Sequence, residues 1–241
     1  MIDPGKHPTV SLIVPVFNEE EMLPVAVRQI IAGFAALAIP FEVVLSENGS
    51  TDRTPQLVDG LARGDDRIRV VHLPVPDYGQ ALRQGFLAAS GDFLVHFSVD
   101  WMDFGFLQAA LSRTPEYDLV LASKSATEKS DRRPWFRRLG GAAFHGLVRG
   151  LFGVPITDTH GIKLMRRERV IGLVDRCRLN GDVFDTELVV RAFRAGLRIS
   201  EIPVYVYEKR PSRVGVMKRA GRGLAQLVKL RILLWKEPNN T

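Results

Sequence analysis

Residues 10–16 read Val-Ser-Leu-Ile-Val-Pro-Val, and Phe17, Asn18, Glu19 and Glu20 follow at once. A short apolar run ending at a proline and an asparagine is the pattern of a strand buried on both faces that enters a loop at its carboxyl end. An amphipathic segment over residues 19–38 comes next, opened by Glu19, Glu20 and Glu21, and acidic residues in a first turn suit the positive end of a helix dipole. The unit then recurs. Residues 41–45 (FEVVL) predict a second strand, 54–63 a helix, 68–73 a third strand, 78–90 a helix and 93–97 (FLVHF) a fourth strand. This alternation predicts an α/β protein with a mostly parallel, right-handedly wound sheet. Its ligand loops should lie at the carboxyl ends of the strands, after Val16, Leu45, Leu73 and Phe97.

Beyond Phe97 the order changes. A helix over 104–111, a strand over 119–122 and a basic loop lead into an amphipathic stretch over 135–152. A strand around Lys163, a helix over 182–195 and a strand over 199–206 complete the domain, and residues 216–236 form a basic amphipathic tail.

With 241 residues, 46% hydrophobic and 25% charged, the chain can bury one large core plus an appendage. Its formal charge of +6 is uneven, concentrated in residues 132–138 and 209–231, so an anionic partner is expected. Trp135, Phe136 and Trp235 lie among these basic residues, yet no helix-turn-helix, zinc-finger or RNA-binding signature accompanies them. Lipid or phosphate is therefore expected rather than nucleic acid. A single cysteine, Cys177, excludes an internal disulfide and a multi-cysteine zinc site. The polar start of the chain and the lack of a long uninterrupted apolar run predict a cytoplasmic protein, peripheral at the cytoplasmic membrane face.

Four segments carry a resemblance: Val14 to Glu20 (VPVFNEE), Glu47 to Asp52 (ENGSTD), Tyr78 to Gly85 (YGQALRQG), and Ser90-Gly91-Asp92 leading to Ser98-Val99-Asp100. In this order and spacing they resemble the family 2 glycosyltransferases of GT-A fold, particularly the polyprenyl-phosphate sugar transferases such as the dolichol-phosphate mannosyltransferases. The resemblance implies a Rossmann-like, GT-A-type sheet flanked by helices over residues 1–215, with a nucleotide-binding half over 8–103, an acceptor half over 104–215, and the amphipathic tail over 216–241. It further implies inverting transfer of a hexose from a UDP- or GDP-sugar to a polyprenyl phosphate. A glycan or lipid hydroxyl as acceptor, or a catalytically weak sugar-nucleotide-binding protein, are the alternatives. Homo-oligomerisation is compatible with each.

Site residues follow from the same resemblance. Pro15 and Phe17, with the carboxylate of Glu19 or Glu20, would meet the base or ribose, and Glu47 would accept from a ring N–H beside the flexible Gly49. Asp100 falls at the second aspartate of an Asp-x-Asp pair whose first position is Ser98 here, with Asp103 three residues on. Such carboxylates hold Mg²⁺ or Mn²⁺ against a diphosphate, because hard cations prefer oxygen ligands. Ser98 leaves three routes open: a metal-bound water on its hydroxyl, substitution by Asp103, or cationic side chains supplying the charge.

Lys124 stands where relatives carry an arginine directed at phosphate or acceptor, and Arg210, Arg213 and Lys218 resemble a basic segment that closes over the diphosphate. Asp158 to Lys163 resembles the family segment that borders the sugar pocket, and His160 within it would hydrogen-bond a sugar hydroxyl. Asp185 is the candidate general base for a hydroxyl acceptor, with Asp182 as the helix cap; a phosphate acceptor needs no base. Arg132, Arg133, Arg137 and Arg138 around Trp135 and Phe136, followed by Phe144, Leu147 and Leu151, predict an interfacial helix on an anionic bilayer.

Overall fold

The computed structural model describes residues 9–123, 135–204 and 216–237, without the side chains of 135–139 and 216–222. The first half alternates as β1 (Val10–Val16), α1 (Leu23–Leu37), β2 (Phe41–Asn48), α2 (Thr54–Gly64), β3 (Ile68–Leu73), α3 (Tyr78–Ala88) and β4 (Phe93–His96). The second half runs α4 (Phe104–Arg113), β5 (Leu119–Ser123), α5 (Trp135–Phe152), β6 (Lys163–Arg166), α6 (Arg167–Arg176), α7 (Val183–Arg194), β7 (Ile199–Pro203) and α8 (Val216–Lys236).

The seven strands lie in the order β3-β2-β1-β4-β6-β5-β7. Only β6 runs against its neighbours, pairing antiparallel with both β4 and β5, while β5 and β7 are parallel. Because β1 lies between β2 and β4, the winding direction reverses beside it, and the crevice at its carboxyl end is the expected place for a ligand. Side chains of β1 divide by the two-residue period: Leu12, Val14 and Val16 pack with Ile30 and Phe34 of α1, while Ile13 packs with Leu82 and Phe86 of α3. Gly85 lets α3 lie directly on the sheet, since a Cβ there would stand 2.5 Å from Ser46 Oγ and 2.6 Å from Ile13 Cγ2.

Several boundaries move. α1 begins at Leu23 with Pro24 in its first turn and no acidic residue there, so Glu19, Glu20 and Glu21 belong to the preceding loop. Proline suits that position because the amide it lacks has no helical partner in a first turn. β2 continues past the predicted end at Leu45 to Asn48, so Glu47 and Asn48 are its last residues. α6 is an additional helix between the strand at Lys163 and the helix that follows Asp182, with Val170, Leu173 and Val174 as its buried stripe. Leu227, Leu230 and Leu234 of α8 enter the main core, and Arg191 of α7 donates to both oxygens of Glu237 at 2.7 and 2.9 Å. The inner face of the tail is thus part of the domain.

Glu42 of β2 clamps the amino ends of the strands. Its buried carboxylate accepts from Ser11 Oγ (2.5 Å), Ser90 N (2.5 Å), Ser90 Oγ (2.8 Å) and Gly91 N (3.3 Å), which gives the Ser90-Gly91 motif a structural role. Burial alone would raise the carboxyl pKa, but these donors together with Arg69 hold it below the usual value of 4.5. The stability it contributes is therefore present above pH 4.5 and is lost as pH falls through the lowered folded value. Glu42→Leu should cost about 1–3 kcal/mol at neutral pH, because buried donors lose their acceptor, and should flatten the acid limb of the stability profile. Urea unfolding measured across the acid range checks both.

Candidate active site

Two loops at the carboxyl end of the sheet are laced together. Asn18, at φ +53°, accepts from Thr51 N at 2.8 Å and donates its own amide to Ser50 Oγ at 3.0 Å. Glu19 N donates to Thr54 Oγ1, and Glu20 N to Asp52 Oδ2; Glu20 Oε2 in return accepts from Arg53 N and Nε. Gly49, at φ +67°, passes so close to Val75 that a Cβ would stand 2.9 Å from its carbonyl carbon. Only glycine tolerates both conditions cheaply.

Glu47 is turned into this lattice. One oxygen accepts from Ser50 N at 2.6 Å, the other faces His72 Nδ1 at 3.3 Å, and the residue is 3% exposed. Both oxygens are engaged, so the carboxylate props the loop, and the half-buried backbone at Gly49 and Ser50 forms the accessible rim. His72 also meets Asp59 Oδ1 through Nε2 at 3.0 Å. Burial lowers its pKa, but Asp59 and Glu47 outweigh that and raise it above 6.5. The tie is thus complete below pH 6.5 and weakens as pH rises through the folded value. His72→Gln should remove a step of stability loss on the alkaline side, read as melting temperature across neutral to alkaline pH.

Asp77 joins the two halves. It caps α3 by accepting from Gln80 N at 3.0 Å, accepts from Gly181 N at 2.9 Å, and donates its amide to Asn48 Oδ1 at 2.7 Å. The approach to α7 therefore hangs on the segments that follow β2 and β3. An aspartate immediately before Tyr78 carries the sequence signal for such a cap.

At the end of β4, Trp101 N donates to Ser98 O at 3.1 Å, placing Val99 and Asp100 at the tip of a tight turn. Asp100 is half-buried, and among the described residues its carboxylate makes no hydrogen bond or ion pair. Asp103 instead caps α4, its Oδ1 accepting from Phe106 N at 2.7 Å. Across the crevice, Lys163 of β6 is 0% exposed and its Nζ lies 2.6 Å from Oδ1 of the equally buried Asp185 of α7. Burial would raise the Asp185 pKa, but the Lys163 ammonium, then His96 and His160, hold it below the usual carboxylate value. Asp182, half-buried at the start of α7, makes no side-chain cap hydrogen bond and lies close enough to influence His160.

Residues 11–171 match the model of the family described as glycosyl transferase family 2. The chain belongs to this family. A glycosyltransferase from Haloferax volcanii, AglD, is 35% identical over 216 residues, 87% of this chain. The chain spans only 35% of that relative's length. A dolichyl-phosphate beta-glucosyltransferase from Trichomonas vaginalis is 28% identical over 244 residues, 94% of this chain and 75% of the relative. Among solved structures, glucosyl-3-phosphoglycerate synthase from Mycobacterium tuberculosis, in complex with Mn²⁺ and UDP-glucose, superposes with a TM-score of 0.64 at 22% identity. That match covers 92% of this chain and 79% of the other.

In this family member the sheet brings Pro15, Phe17, Glu19, Glu20, Gly49, Ser98 and Asp100 to one end, at or just after the carboxyl ends of β1, β2 and β4. It does not put Asp185 where a general base must stand, because the carboxylate is sealed from solvent beneath Lys163. Nor does Asp182 act as the expected cap. Lys124, Arg210 and Arg213 lie outside the described residues, as do Arg132 and Arg133 and the side chains of Trp135, Phe136, Arg137, Arg138 and Lys218.

Proposed function

We propose that this chain is an inverting hexosyltransferase that moves a sugar from a nucleotide donor to a polyprenyl phosphate at a membrane surface. The observation that carries the reading is Asp100: a half-buried carboxylate at the carboxyl end of β4, with no protein cation on it among the described residues. With Ser98 two residues before it, the oxygen donors this turn offers are hard ones, which fits Mg²⁺ or Mn²⁺. When bound, such an ion supplies charge neutralisation for the departing nucleotide diphosphate. Asp103 is a weaker ligand candidate because one of its oxygens caps α4.

Loops 17–20 and 49–54 would seat the nucleotide on backbone groups, and Lys124, Arg210, Arg213 and Lys218 would surround the phosphates with positive charge. The acceptor oxygen attacks the anomeric carbon from the face opposite the diphosphate. The bond to the departing phosphate oxygen breaks, and its electron pair leaves with the nucleotide. A phosphate acceptor is already ionised, which agrees with an Asp185 that cannot reach a proton.

The membrane part rests on α8. Leu224, Val228, Ile232 and Trp235 are 49%, 50%, 48% and 80% exposed and recur every three or four residues, forming one outward stripe. Lys229, Arg231 and Lys236 flank it, the arrangement of a helix lying on an anionic bilayer. No helix among the described residues is long and apolar enough to cross a membrane.

Asp182 carries a second reading, a hydroxyl acceptor with this residue as base, since its half-buried carboxylate stands at the start of α7 near enough to act electrostatically on His160. The test is transfer from UDP-glucose and GDP-mannose in the presence of Mn²⁺, to polyprenyl phosphate in anionic vesicles or to soluble glycans. Stimulation by the lipid phosphate alone supports the first reading. Transfer only to glycans, lost in Asp182→Asn, replaces it with the second, and nucleotide binding without turnover on any acceptor overturns both.

A further inference from the structure

His145 of α5 and Asp158 and His160 of the β6 approach are brought together although no single motif contains them. One nitrogen of each imidazole and one Asp158 oxygen all lie within 4.8 Å of one another. His145 Nε2 stands 3.7 Å from Asp158 Oδ1. Ligand atoms sharing one ion at bonds of about 2.1 Å cannot be more than roughly 4.2 Å apart and are usually closer to about 3.4 Å. From a separation of up to 4.8 Å the set needs at most about 1.4 Å of contraction to reach that spacing, which rotation of the two half-buried histidine side chains can supply.

The surroundings are organised as those of a metal site are. Asp158 is 4% exposed and its Oδ1 also accepts from His160 N at 2.9 Å, which fixes the carboxylate. Thr159 Oγ1 lies 3.3 Å from His160 Nδ1 and 2.9 Å from Thr186 Oγ1, orienting one imidazole from behind. Thr157 N and Asp158 N both donate to Glu201 of β7, pinning the loop to the sheet edge. Phe144 packs on both rings, with centroids 5.8 and 5.1 Å away. The charged groups acting on His160 are Asp185, Asp158, Asp182 and Lys163, a net negative surrounding.

We propose that His145, Asp158 and His160 form a second metal site, separate from Asp100, that takes a borderline divalent ion of the Zn²⁺ class. Two imidazoles and one carboxylate suit Zn²⁺ or Co²⁺, whereas the all-oxygen donors at Asp100 suit Mg²⁺ or Mn²⁺. Three protein ligands leave a fourth position for water or an anionic oxygen. By joining α5 to the loop beside β5 and β6, the ion would hold the acceptor half together.

The test uses the chelator-stripped full chain, equilibrated with Zn²⁺ and analysed for metal content and melting temperature. Co²⁺ is used in parallel to read tetrahedral d–d absorption. About one Zn²⁺ per chain is expected, with a rise in melting temperature. His145→Gln and His160→Gln should each weaken binding at least about tenfold, and Asp158→Asn should do the same; circular dichroism confirms that each variant is folded. Asp100→Ala should bind Zn²⁺ as the unmodified chain does, which separates this site from the nucleotide site whatever the outcome of the transfer assays. No Zn²⁺ uptake by the unmodified chain, unchanged uptake in the double histidine variant, or loss of uptake in Asp100→Ala would each overturn the proposal.

Discussion

Asp100→Ala is expected to lower Mn²⁺-dependent transfer about 100- to 1,000-fold, the loss typical when one group that stabilises transition-state charge is removed. The same change should alter stability by no more than roughly 0.5 kcal/mol, since no hydrogen bond or ion pair among the described residues is broken with it. That combination distinguishes a ligand from a structural carboxylate. Nucleotide-induced thermal stabilisation should also stop depending on Mn²⁺, and EDTA should reproduce the loss in the unmodified chain. Ser98→Asp tests the same point from the other side. A second carboxylate two residues before Asp100 should reduce the Mn²⁺ concentration needed for half-maximal activity. If Asp100→Ala retains full metal-dependent activity, the ion is held elsewhere.

The second large effect concerns the buried pair of Lys163 and Asp185. Lys163→Met should destabilise the fold by about 3–5 kcal/mol, because it leaves Asp185 charged, buried and without its ammonium. The double variant Lys163→Met/Asp185→Leu should recover most of that loss, since replacing both members of a buried pair by apolar groups is often close to neutral. Urea unfolding of the single and double variants gives the coupling directly. The pair's contribution should also fade in acid: the Asp185 pKa is lowered, so its share is present above the ordinary value of 3.8 and disappears as pH falls through the folded one. A Lys163→Met variant as stable as the parent would mean that Asp185 is satisfied by other groups.

Most of the sheet was legible because its strands are local, apolar and regularly spaced. VSLIVPV at 10–16 and FEVVL at 41–45 can bury both faces only in the middle of a wound sheet, and there β1 and β2 lie side by side. The starting point of α1 was harder to read. Glu19 and Glu20 carry the composition of a first turn, yet their amides are used by Thr54 and Asp52 more than thirty residues away, and the helix waits for Pro24. Asp103 and Asp182 show the same difficulty in opposite directions. The first, read as a metal ligand, caps a helix; the second, read as a cap, makes no cap hydrogen bond.

The sequence by itself determined the family, the wound sheet and the end of it at which Asp100 and the loops after β1 and β2 meet, because those depend on periodicity and on motifs a few residues long. The tertiary structure decided what each carboxylate can do. Glu47 is held by His72 from the neighbouring strand, Asp185 by Lys163 from β6, and Asp158 lies within reach of His145 on a helix. A carboxylate becomes a prop or a buried counter-ion according to which cation or donor the fold brings within hydrogen-bonding distance. That choice is made between segments far apart in the chain, where local spacing carries no information.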